Sequence, residues 1–465
     1  MELATAATLT MSRRAMLCGT GAALAASALP VMAQTASSSG FVLVGGLVLT
    51  MEPGAPASVA DIHIRNGEIA AIGQGLQIEG AERIEMGGAI VMPGLVDTHW
   101  HMWNSLARGF SMSRLGPFAK TMAPLAKAWT PEAAALSVRI AVAEALHSGI
   151  TTVNNWAHNT KSVEFAEAEY AAMQESGIRG RFSYGYPQAL KPDERIDFEA
   201  LGSFAKSHPS SGGLLHLGIC TRGPDRSAGP VWREEWEFAR EHRLPITTHI
   251  ASDRNAAAMK SIETMSKEGF LGPDVQLVHA THATPEDFAM IRKARSPISI
   301  SPWTELEVGY GVPPVALMAE SGVAMGLSVD NMVLSGNADM FSVMKITADI
   351  AAGQSESQGK VPDATVLDWA TRGGAIGLGL GESVGTLAVG KRADIIAVRM
   401  DELNTVASMT PQFALTHSAQ PGNVDFMMID GTIHKRDGRL TGIDQEALVA
   451  EAQKMMSDLR QQAGL

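Results

Sequence analysis

Cysteine is nearly absent from this chain of 465 residues, in which only Cys18 and Cys220 occur. Cys18 lies in an N-terminal segment that we expect to be removed, so Cys220 would be alone in the mature chain. A single thiol excludes an intramolecular disulfide, and it excludes a metal site built on thiolates. Any metal that this protein binds therefore needs histidine and carboxylate ligands.

Positive charge is also scarce, because 37 lysines and arginines face 49 aspartates and glutamates. The net charge of −12 argues against nucleic acid or an anionic membrane surface as a partner. Outside a borderline stretch near the N-terminus, no apolar run reaches the roughly 18 residues of a membrane-spanning helix. We therefore expect no stable membrane insertion of the mature chain.

The pattern of residues 1–33 predicts an N-terminal targeting segment. Residues 12–17 are Ser-Arg-Arg-Ala-Met-Leu, an apolar Ala-rich stretch continues to Leu29, and residues 31–33 offer the small residues of a cleavage site. This pattern resembles a Tat signal, which exports folded proteins. It implies the Tat machinery as a partner and a periplasmic or secreted protein, or a cytoplasmic one if the leader is not used.

Residues 91–101 carry the most informative motif, Val-Met-Pro-Gly-Leu-Val-Asp-Thr-His-Trp-His. The apolar residues before Pro93 indicate a buried strand, and a second short strand follows over 95–101. Residues two apart on a strand face the same side, so His99 and His101 present two imidazoles to one metal ion. The alternative is a pair of surface histidines on an edge strand.

Downstream of this motif, strand-like and helix-like stretches alternate, as a parallel barrel requires. A helical tract covers 130–148. Counting the first strand, the sequence offers eight candidate barrel strands, at 95–101, 150–155, 180–184, 214–220, 245–249, 275–279, 297–301 and 324–330.

Two β-rich segments flank this region, at 41–78 and at 384–440. Neither has enough strands to close a core alone, so we expect them to form one domain together.

The motif at 91–101 and the Gly-Thr-Leu…Gly-Lys-Arg-Ala-Asp run at 385–394 resemble the amidohydrolase superfamily of metal-dependent hydrolases. The resemblance implies an α/β fold, a (β/α)8 TIM barrel with a small β-sandwich domain built from the N- and C-terminal segments. The expected domains are a signal peptide, the first part of the sandwich, the barrel, the second part of the sandwich and a C-terminal helix, at 1–33, 34–90, 91–380, 381–440 and 441–465.

Strands five, six and eight each end on a polar residue, His249, His279 and Asp330. In a (β/α)8 barrel, these ends converge on one face together with His99 and His101. The resemblance implies that His99, His101, His249 and Asp330 bind one divalent metal, for which Zn2+ is expected and Fe, Co or Mn are the substitutes. It implies metal-bound hydroxide as the nucleophile, Asp330 as proton carrier and His279 as the residue that stabilises the developing anion.

Two absences refine this expectation. Binuclear relatives carry a carbamylated lysine on strand four, but that strand has none here, and Lys206 precedes it, so we expect one metal. Deaminases and chlorohydrolases of this branch usually have His-x-x-Glu on strand five, where the glutamate protonates a ring nitrogen. Here Ser252 holds that position and Asp253 is one residue late.

The missing glutamate favours hydrolysis of a C–N bond in an amide, urea, carbamate or thiocarbamate-like small molecule. The alternative is hydrolytic deamination of a guanine-, cytosine- or triazine-like heterocycle, in which Asp253, Glu305 or water replaces the glutamate. A more remote alternative is an inactive amidohydrolase-fold protein that binds a partner.

Further residues near strand ends are candidates for substrate contact, with ordinary packing at the barrel mouth as the alternative. Besides His279, these candidates are Trp103, His282, Trp303 and Glu305. Asn154, Asn155 and His158 follow strand two and have a weaker claim. We also expect a homodimer or a higher homo-oligomer.

Overall fold

The computed structural model describes residues 39–110, 118–209 and 213–465. The predicted targeting segment at 1–33 lies outside the described residues. The centre of the molecule is an eight-stranded parallel sheet whose strands follow one another in chain order. They are β6 (Leu95–Trp100), β7 (Ile150–Ala157), β8 (Arg179–Tyr184), β9 (Leu215–Thr221), β10 (Ile246–Ile250), β11 (Val275–His279), β12 (Ile298–Ile300) and β13 (Met325–Leu327).

Helices separate these strands, which confirms the predicted TIM barrel. The α-helices are α1 (Phe118–Ala128), α2 (Pro131–Ser148), α3 (Val163–Ser176), α4 (Phe198–Ser207), α5 (Gly229–Glu241), α6 (Arg254–Ala258), α7 (Ser261–Lys267), α8 (Pro285–Ala294), α9 (Pro302–Glu307), α10 (Val315–Ser321), α11 (Met332–Ser335), α12 (Met340–Ser355), α13 (Asp363–Asp368), α14 (Gly374–Gly377), α15 (Pro411–Phe413) and α16 (Gln445–Ala463). Shorter 3₁₀ or π turns lie at Met102–Ala107, Trp369–Gly373, Ala414–Ser418 and Pro421–Asn423. Among the described residues, none of the helices combines the length and the apolar character needed to cross a membrane.

The barrel closes between the end of β6 and the segment that follows β13. Trp100 and Asp330 form a parallel bridge there. The backbone N–H of His101 donates to the carbonyl oxygen of Asp330 at 2.7 Å, and the N–H of Asp330 donates to the carbonyl oxygen of His99 at 3.1 Å. Closure of the barrel therefore brings the first and last strands together at the residues that the sequence predicted as metal ligands.

The flanking β-rich segments form one nine-stranded sheet, which confirms that both ends of the chain build a second β domain. Its strands are β1 (Phe41–Val48), β2 (Ser58–Arg65), β3 (Glu68–Gly73), β4 (Glu82–Glu85), β5 (Ala89–Pro93), β14 (Ile395–Arg399), β15 (Val424–Ile429), β16 (Thr432–Arg436) and β17 (Arg439–Leu440). β5 joins the two segments, because it pairs with β1 on one side and with β14 on the other. The chain passes from β5 directly into the first barrel strand.

Gly94 links β5 to β6 where two chain segments approach closely. A Cβ atom on this residue would lie 2.1 Å from both Oγ1 and Cγ2 of Thr151 on β7. Only glycine leaves room for this contact, which explains the glycine of the Pro-Gly-Leu-Val-Asp-Thr-His motif. The motif therefore determines how closely β6 packs against β7, as well as the positions of His99 and His101.

We expect Gly94→Ala to lower the free energy of unfolding by about 1–3 kcal/mol, because the added methyl group must push β6 away from β7. Gly87→Ala is the matched control, since a Cβ on Gly87 meets no atom within 4 Å. Urea unfolding of both variants measures the difference. Equal stability of the two variants would contradict this account of the motif.

Candidate active site

Four side chains from the carboxyl ends of the barrel strands point their ligand atoms at one small volume. The Nε2 atom of His99 lies 3.2 Å from Nε2 of His101 and 3.3 Å from Nε2 of His249. Oδ1 of Asp330 is 3.2 Å from both His99 Nε2 and His101 Nε2. The four side chains are buried, with at most 6% of each residue exposed.

These ligand atoms can hold a single cation. The three histidine nitrogens all lie within 4.8 Å of one another, and Oδ1 of Asp330 lies 3.2 Å from two of them. Ligands at about 2.0–2.2 Å from one tetrahedral ion are separated by roughly 3.3–3.5 Å, close to the distances from Nε2 of His99 to the other three ligand atoms. Three imidazole nitrogens cannot all donate to one another, whereas a cation accepts every lone pair at once. Three nitrogen ligands and one carboxylate oxygen suit Zn2+ and other borderline divalent metals.

Electrostatics favour the protonation states that a metal requires. Burial lowers the pKa of His99 to about 4, although the Asp330 carboxylate opposes this shift. Burial also lowers the pKa of His249 well below its usual value. Burial alone would raise the pKa of Asp330, but His99 and His101 hold it well below its ordinary range. At neutral pH, His99 and His249 are therefore neutral imidazoles and Asp330 is an ionised carboxylate, the forms that bind a metal.

The backbone at two of these strand ends adopts a conformation that L residues rarely take. His279 has φ of +75° and Asp330 has φ of +59°. Neither residue is glycine, so each costs free energy that the surrounding fold must supply. This geometry turns both side chains out of the regular strand direction and toward the ligand cluster.

Asp97 supports the cluster through two backbone hydrogen bonds, a role that the sequence did not predict. Its two carboxylate oxygens accept hydrogen bonds from the N–H of His99 at 3.1 Å and of Val329 at 2.9 Å. Asp97 is fully buried, and this burial raises its pKa well above the ordinary value. The side chain therefore ties β6 to the segment that carries Asp330.

His279 lies beside the cluster and is held from behind by Glu305. Nδ1 of His279 is 3.1 Å from Oε1 of Glu305, and Nε2 of His279 is 3.9 Å from Oδ2 of Asp330. Glu305 is fully buried on α9, and its Oε1 also accepts from the N–H of Ser301 at 3.0 Å. Burial raises the pKa of Glu305, so this carboxyl group can share a proton with Nδ1.

Glu305→Gln is expected to lower kcat by about 10- to 100-fold while KM and metal content stay nearly unchanged. The amide can still hold the ring, but it cannot exchange a proton with His279. Steady-state kinetics and metal analysis of the purified variant test this. The control is Glu307→Gln, an exposed glutamate on the same helix. A fall confined to KM, or a loss of metal, would contradict the assigned positioning role.

A cavity of about 240 Å3 opens over the cluster. His101, His249, His279 and Asp330 lie on its wall. The remaining wall includes side chains that the sequence analysis did not identify, among them Tyr186, Gln188, Arg222, Arg226, Thr304, Tyr310 and Asn331. A larger cavity of about 660 Å3 lies between α2 and α16, away from the strand ends and the ligand cluster.

Four residues predicted to contact substrate are not on this wall. Nε1 of Trp103 donates to Nδ1 of His158 at 3.0 Å, which places the indole behind that histidine. Nε2 of His282 lies 2.6 Å from the carbonyl oxygen of Tyr310 and is used there. Trp303 is 41% exposed on the outer side of α9, and Glu305 lies behind His279. The cavity wall therefore does not include these four residues, and their direct contact with substrate stays a prediction.

His158, a weaker candidate, does reach the site. Its Nδ1 lies 2.9 Å from Nδ1 of His101, on the side of that ring facing away from the cluster, and His158 lies on the cavity wall. The side chains of Asn154 and Asn155 are buried in the barrel instead. Asn154 donates to the carbonyl oxygen of Thr98 at 3.0 Å.

Ser252 holds the position after strand β10 at which the sequence lacks the expected glutamate. Ser252 is buried, and its Oγ accepts a hydrogen bond from Nη2 of Arg226 at 3.0 Å. Asp253 instead caps α6, because its Oδ1 accepts from the N–H of Asn255 at 2.8 Å and of Ala256 at 2.9 Å. Asp253 is thus held by a helix N-terminus and does not replace the missing glutamate.

Comparison with known proteins agrees with this architecture. The chain is 24% identical over 412 residues to a 5'-deoxyadenosine deaminase of Methanobrevibacter smithii, covering 86% of this chain and 93% of that protein. It is 26% identical over 404 residues to an 8-oxoguanine deaminase of Pseudomonas aeruginosa, covering 82% of this chain and 89% of that protein.

Solved structures show the same fold. An adenosine deaminase from Xanthomonas campestris with bound zinc superposes with a TM-score of 0.82 at 22% identity, over 91% of this chain and 99% of that chain. A zinc complex of an atrazine chlorohydrolase from Arthrobacter aurescens gives 0.81 at 19% identity, over 90% and 100%. The model of the amidohydrolase family matches residues 90–434, which include both the ligand cluster and most of the C-terminal strands. This chain therefore belongs to the amidohydrolase family.

Proposed function

We propose that this chain is a mononuclear, zinc-dependent hydrolase that cleaves a C–N bond other than a peptide bond in a small molecule. The observation that carries the proposal is the convergence of three imidazole nitrogens and the Asp330 carboxylate beside a cavity. Amides, ureas, carbamates and thiocarbamate-like compounds are the expected substrates. Their carbonyl group needs only polarisation, and Ser252 cannot protonate a ring nitrogen.

A bound divalent cation supplies Lewis acidity and a water nucleophile that loses its proton near neutral pH. Zinc is the expected ion, and solved relatives of the same fold contain it. His99, His101, His249 and Asp330 would hold the ion. The described part of strand β9 carries no lysine, which agrees with one metal rather than two.

Asp330 is the proton carrier in this scheme. Its Oδ1 faces the ligand nitrogens, and its Oδ2 faces His279. Because its pKa is held low, the carboxylate is ionised and can take the proton of the attacking water. It then delivers that proton to the departing nitrogen, which leaves as a neutral amine or ammonia.

His279 stabilises the negative charge that develops on the carbonyl oxygen. If Glu305 is protonated, it donates to Nδ1, and the neutral imidazole carries its proton on Nε2. If the shared proton has moved from Glu305 to Nδ1 of His279, the ring is an imidazolium and Nε2 also carries a proton. In both arrangements the shared proton leaves Nε2 as a donor toward the substrate.

A hydrolytic deaminase of an N-heterocycle is the second candidate, because the similar proteins named above include deaminases. Ammonia release from guanine, cytosine and triazine analogues separates it from hydrolysis of amides, ureas and carbamates. Both substrate panels are to be tested with the zinc-loaded enzyme, with His99→Ala as the blank. Hydrolysis of neither panel by metal-loaded protein would overturn the enzyme proposal and revive a binding function.

Ser252→Glu discriminates further between the two candidates. A deaminase should gain ammonia release when the ring-protonating carboxylate is restored, whereas our proposal predicts no gain. Ser252→Gln, which has similar size but no charge, is the matched control. A clear increase for the glutamate variant alone would favour the deaminase.

We also propose that residues 1–33 form a Tat signal and that the enzyme acts in the periplasm. The twin arginines Arg13 and Arg14 before an apolar stretch support this. Replacing both arginines with lysine should retain the protein in the cytoplasm, as fractionation would show. An unchanged distribution would contradict the signal. A homodimer or higher homo-oligomer and the domain boundaries given above remain predictions.

A further inference from the structure

Arg226 places a positive charge on the wall of the candidate active site. It lies in the loop between β9 and α5, and its guanidinium group is exposed to the cavity rather than packed in the core. Its Nη2 donates to Oγ of Ser252 at 3.0 Å and to the hydroxyl oxygen of Tyr310 at 3.3 Å. Tyr310 in turn packs against the ring of His279, with 5.2 Å between ring centroids.

No counter-charge contacts this guanidinium. Among the described residues, no carboxylate oxygen lies within the 4.0 Å that defines an ion pair with Arg226. Asp225 is its neighbour in the chain, but Oδ2 of Asp225 accepts from the N–H of Ala251 at 2.7 Å. Both side-chain hydrogen bonds of Arg226 engage Nη2, so Nη1 and Nε have no protein partner in the described part of the chain.

Arg222, the other arginine on the wall, is used differently. Its guanidinium donates to the carbonyl oxygens of Leu190, Lys191 and Glu194, and it lies 3.7 Å from the carboxylate of Glu235. Those contacts hold a loop in place. Arg226 is therefore the arginine whose donors remain available to a ligand.

We propose that Arg226 binds a carboxylate of the substrate, next to the C–N bond that is cleaved. A guanidinium group presents parallel N–H donors that match the two oxygens of a carboxylate. Ser252 and Tyr310 fix one nitrogen and thereby orient the free edge of the group. This inference rests on the proposed hydrolase function and narrows its substrate to an N-acyl, N-carbamoyl or ureido acid.

This arrangement explains why a serine, and not a glutamate, lies at position 252 after β10. A glutamate at position 252 would pair with Arg226 and neutralise the charge that the substrate carboxylate needs. Water adds across the scissile bond, with OH on the carbonyl carbon and H on the nitrogen, and the carboxylate is unchanged. Arg226 accordingly contributes to specificity, while the residues at the ligand cluster contribute to the chemistry.

Equilibrium binding tests the inference without relying on turnover. Benzoate and benzamide are probes of nearly equal shape that differ in the charge of one group. Titration calorimetry with the zinc-loaded protein should show benzoate binding about tenfold or more tightly than benzamide. Arg226→Met should abolish this preference, and Arg226→Lys should restore part of it. Arg254→Met, which removes an exposed arginine on α6, should leave the preference unchanged.

Two results would overturn the inference. Equal affinity of the wild-type protein for both probes would show that no carboxylate subsite exists. A preference for benzoate that survives in Arg226→Met would assign the carboxylate to the metal or to another group. Binding of benzoate by a protein that hydrolyses none of the substrates tested would instead leave the subsite in place and refute the proposed function.

Discussion

The variant His99→Ala is expected to lose the bound cation and to lower kcat/KM by about 10^3-fold or more, because Lewis-acid catalysis is worth several kcal/mol. Nε2 of His99 lies within 3.3 Å of Nε2 of both His101 and His249, and within 3.2 Å of the Asp330 carboxylate. It is the ligand atom in contact with all the others. Alanine at this position removes one ligand and leaves a buried gap at the centre of the cluster.

Metal analysis and kinetics on the same preparation measure this effect. The matched control is His242→Ala, which removes an exposed histidine immediately after α5 whose Nδ1 contacts the carbonyl oxygen of Phe238 rather than the cluster. The control should keep one metal per chain and full activity. If His99→Ala retained a full equivalent of metal and wild-type activity, the ligand assignment would be wrong.

Asp330→Asn is expected to lower kcat by about 10^2- to 10^4-fold, the range found when a positioned proton carrier is removed. Asparagine has nearly the shape of aspartate but cannot accept the proton of the attacking water. The amide oxygen is also a weaker ligand, so we expect weaker metal binding than in the wild-type protein. Kinetics at saturating zinc separate the two effects.

The loss should persist when zinc is saturating, because a bound ion cannot replace the missing proton acceptor. Asp349→Asn, an exposed aspartate on α12, is the control and should behave as wild type. Full recovery of Asp330→Asn by added zinc would show that Asp330 serves as a ligand alone and that another group carries the proton.

The barrel could be predicted from sequence because its signal is repeated along the chain. Each strand is a short apolar run bounded by turns or a helix, and eight such runs match the number that closes a barrel. The same topology brings the ends of distant strands together, so His249 and Asp330 could be placed beside His99 without knowledge of any distance. The order of the strands around the barrel determines which strand ends lie close together.

Side chains on the loops and short helices could not be predicted in this way. Trp303 and Glu305 both follow strand seven, and the sequence alone treats them alike. In the structure they lie on α9, where residues two apart point to nearly opposite sides. Glu305 is therefore buried against His279, whereas Trp303 is exposed to solvent.

The side-chain positions of Arg226 and Asp253 could not be predicted from the sequence either. Arg226 lies in a polar loop after β9, and nothing in its local sequence indicates that the side chain turns into the cavity. The sequence offers Asp253 as a substitute for the missing glutamate, but helix α6 begins at the next residue, and the Asp253 side chain caps that helix. These outcomes depend on loop conformations that periodicity and strand order do not determine.

The central claim is that one cation is held by side chains from the first, fifth and eighth barrel strands. Anomalous X-ray diffraction at the zinc edge, from crystals of zinc-loaded protein, tests it most directly. We predict a single anomalous peak about 2.0–2.2 Å from Nε2 of His99, His101 and His249 and from a carboxylate oxygen of Asp330. A zinc-loaded crystal without a peak at this position, or with a pair of peaks there, would contradict the account.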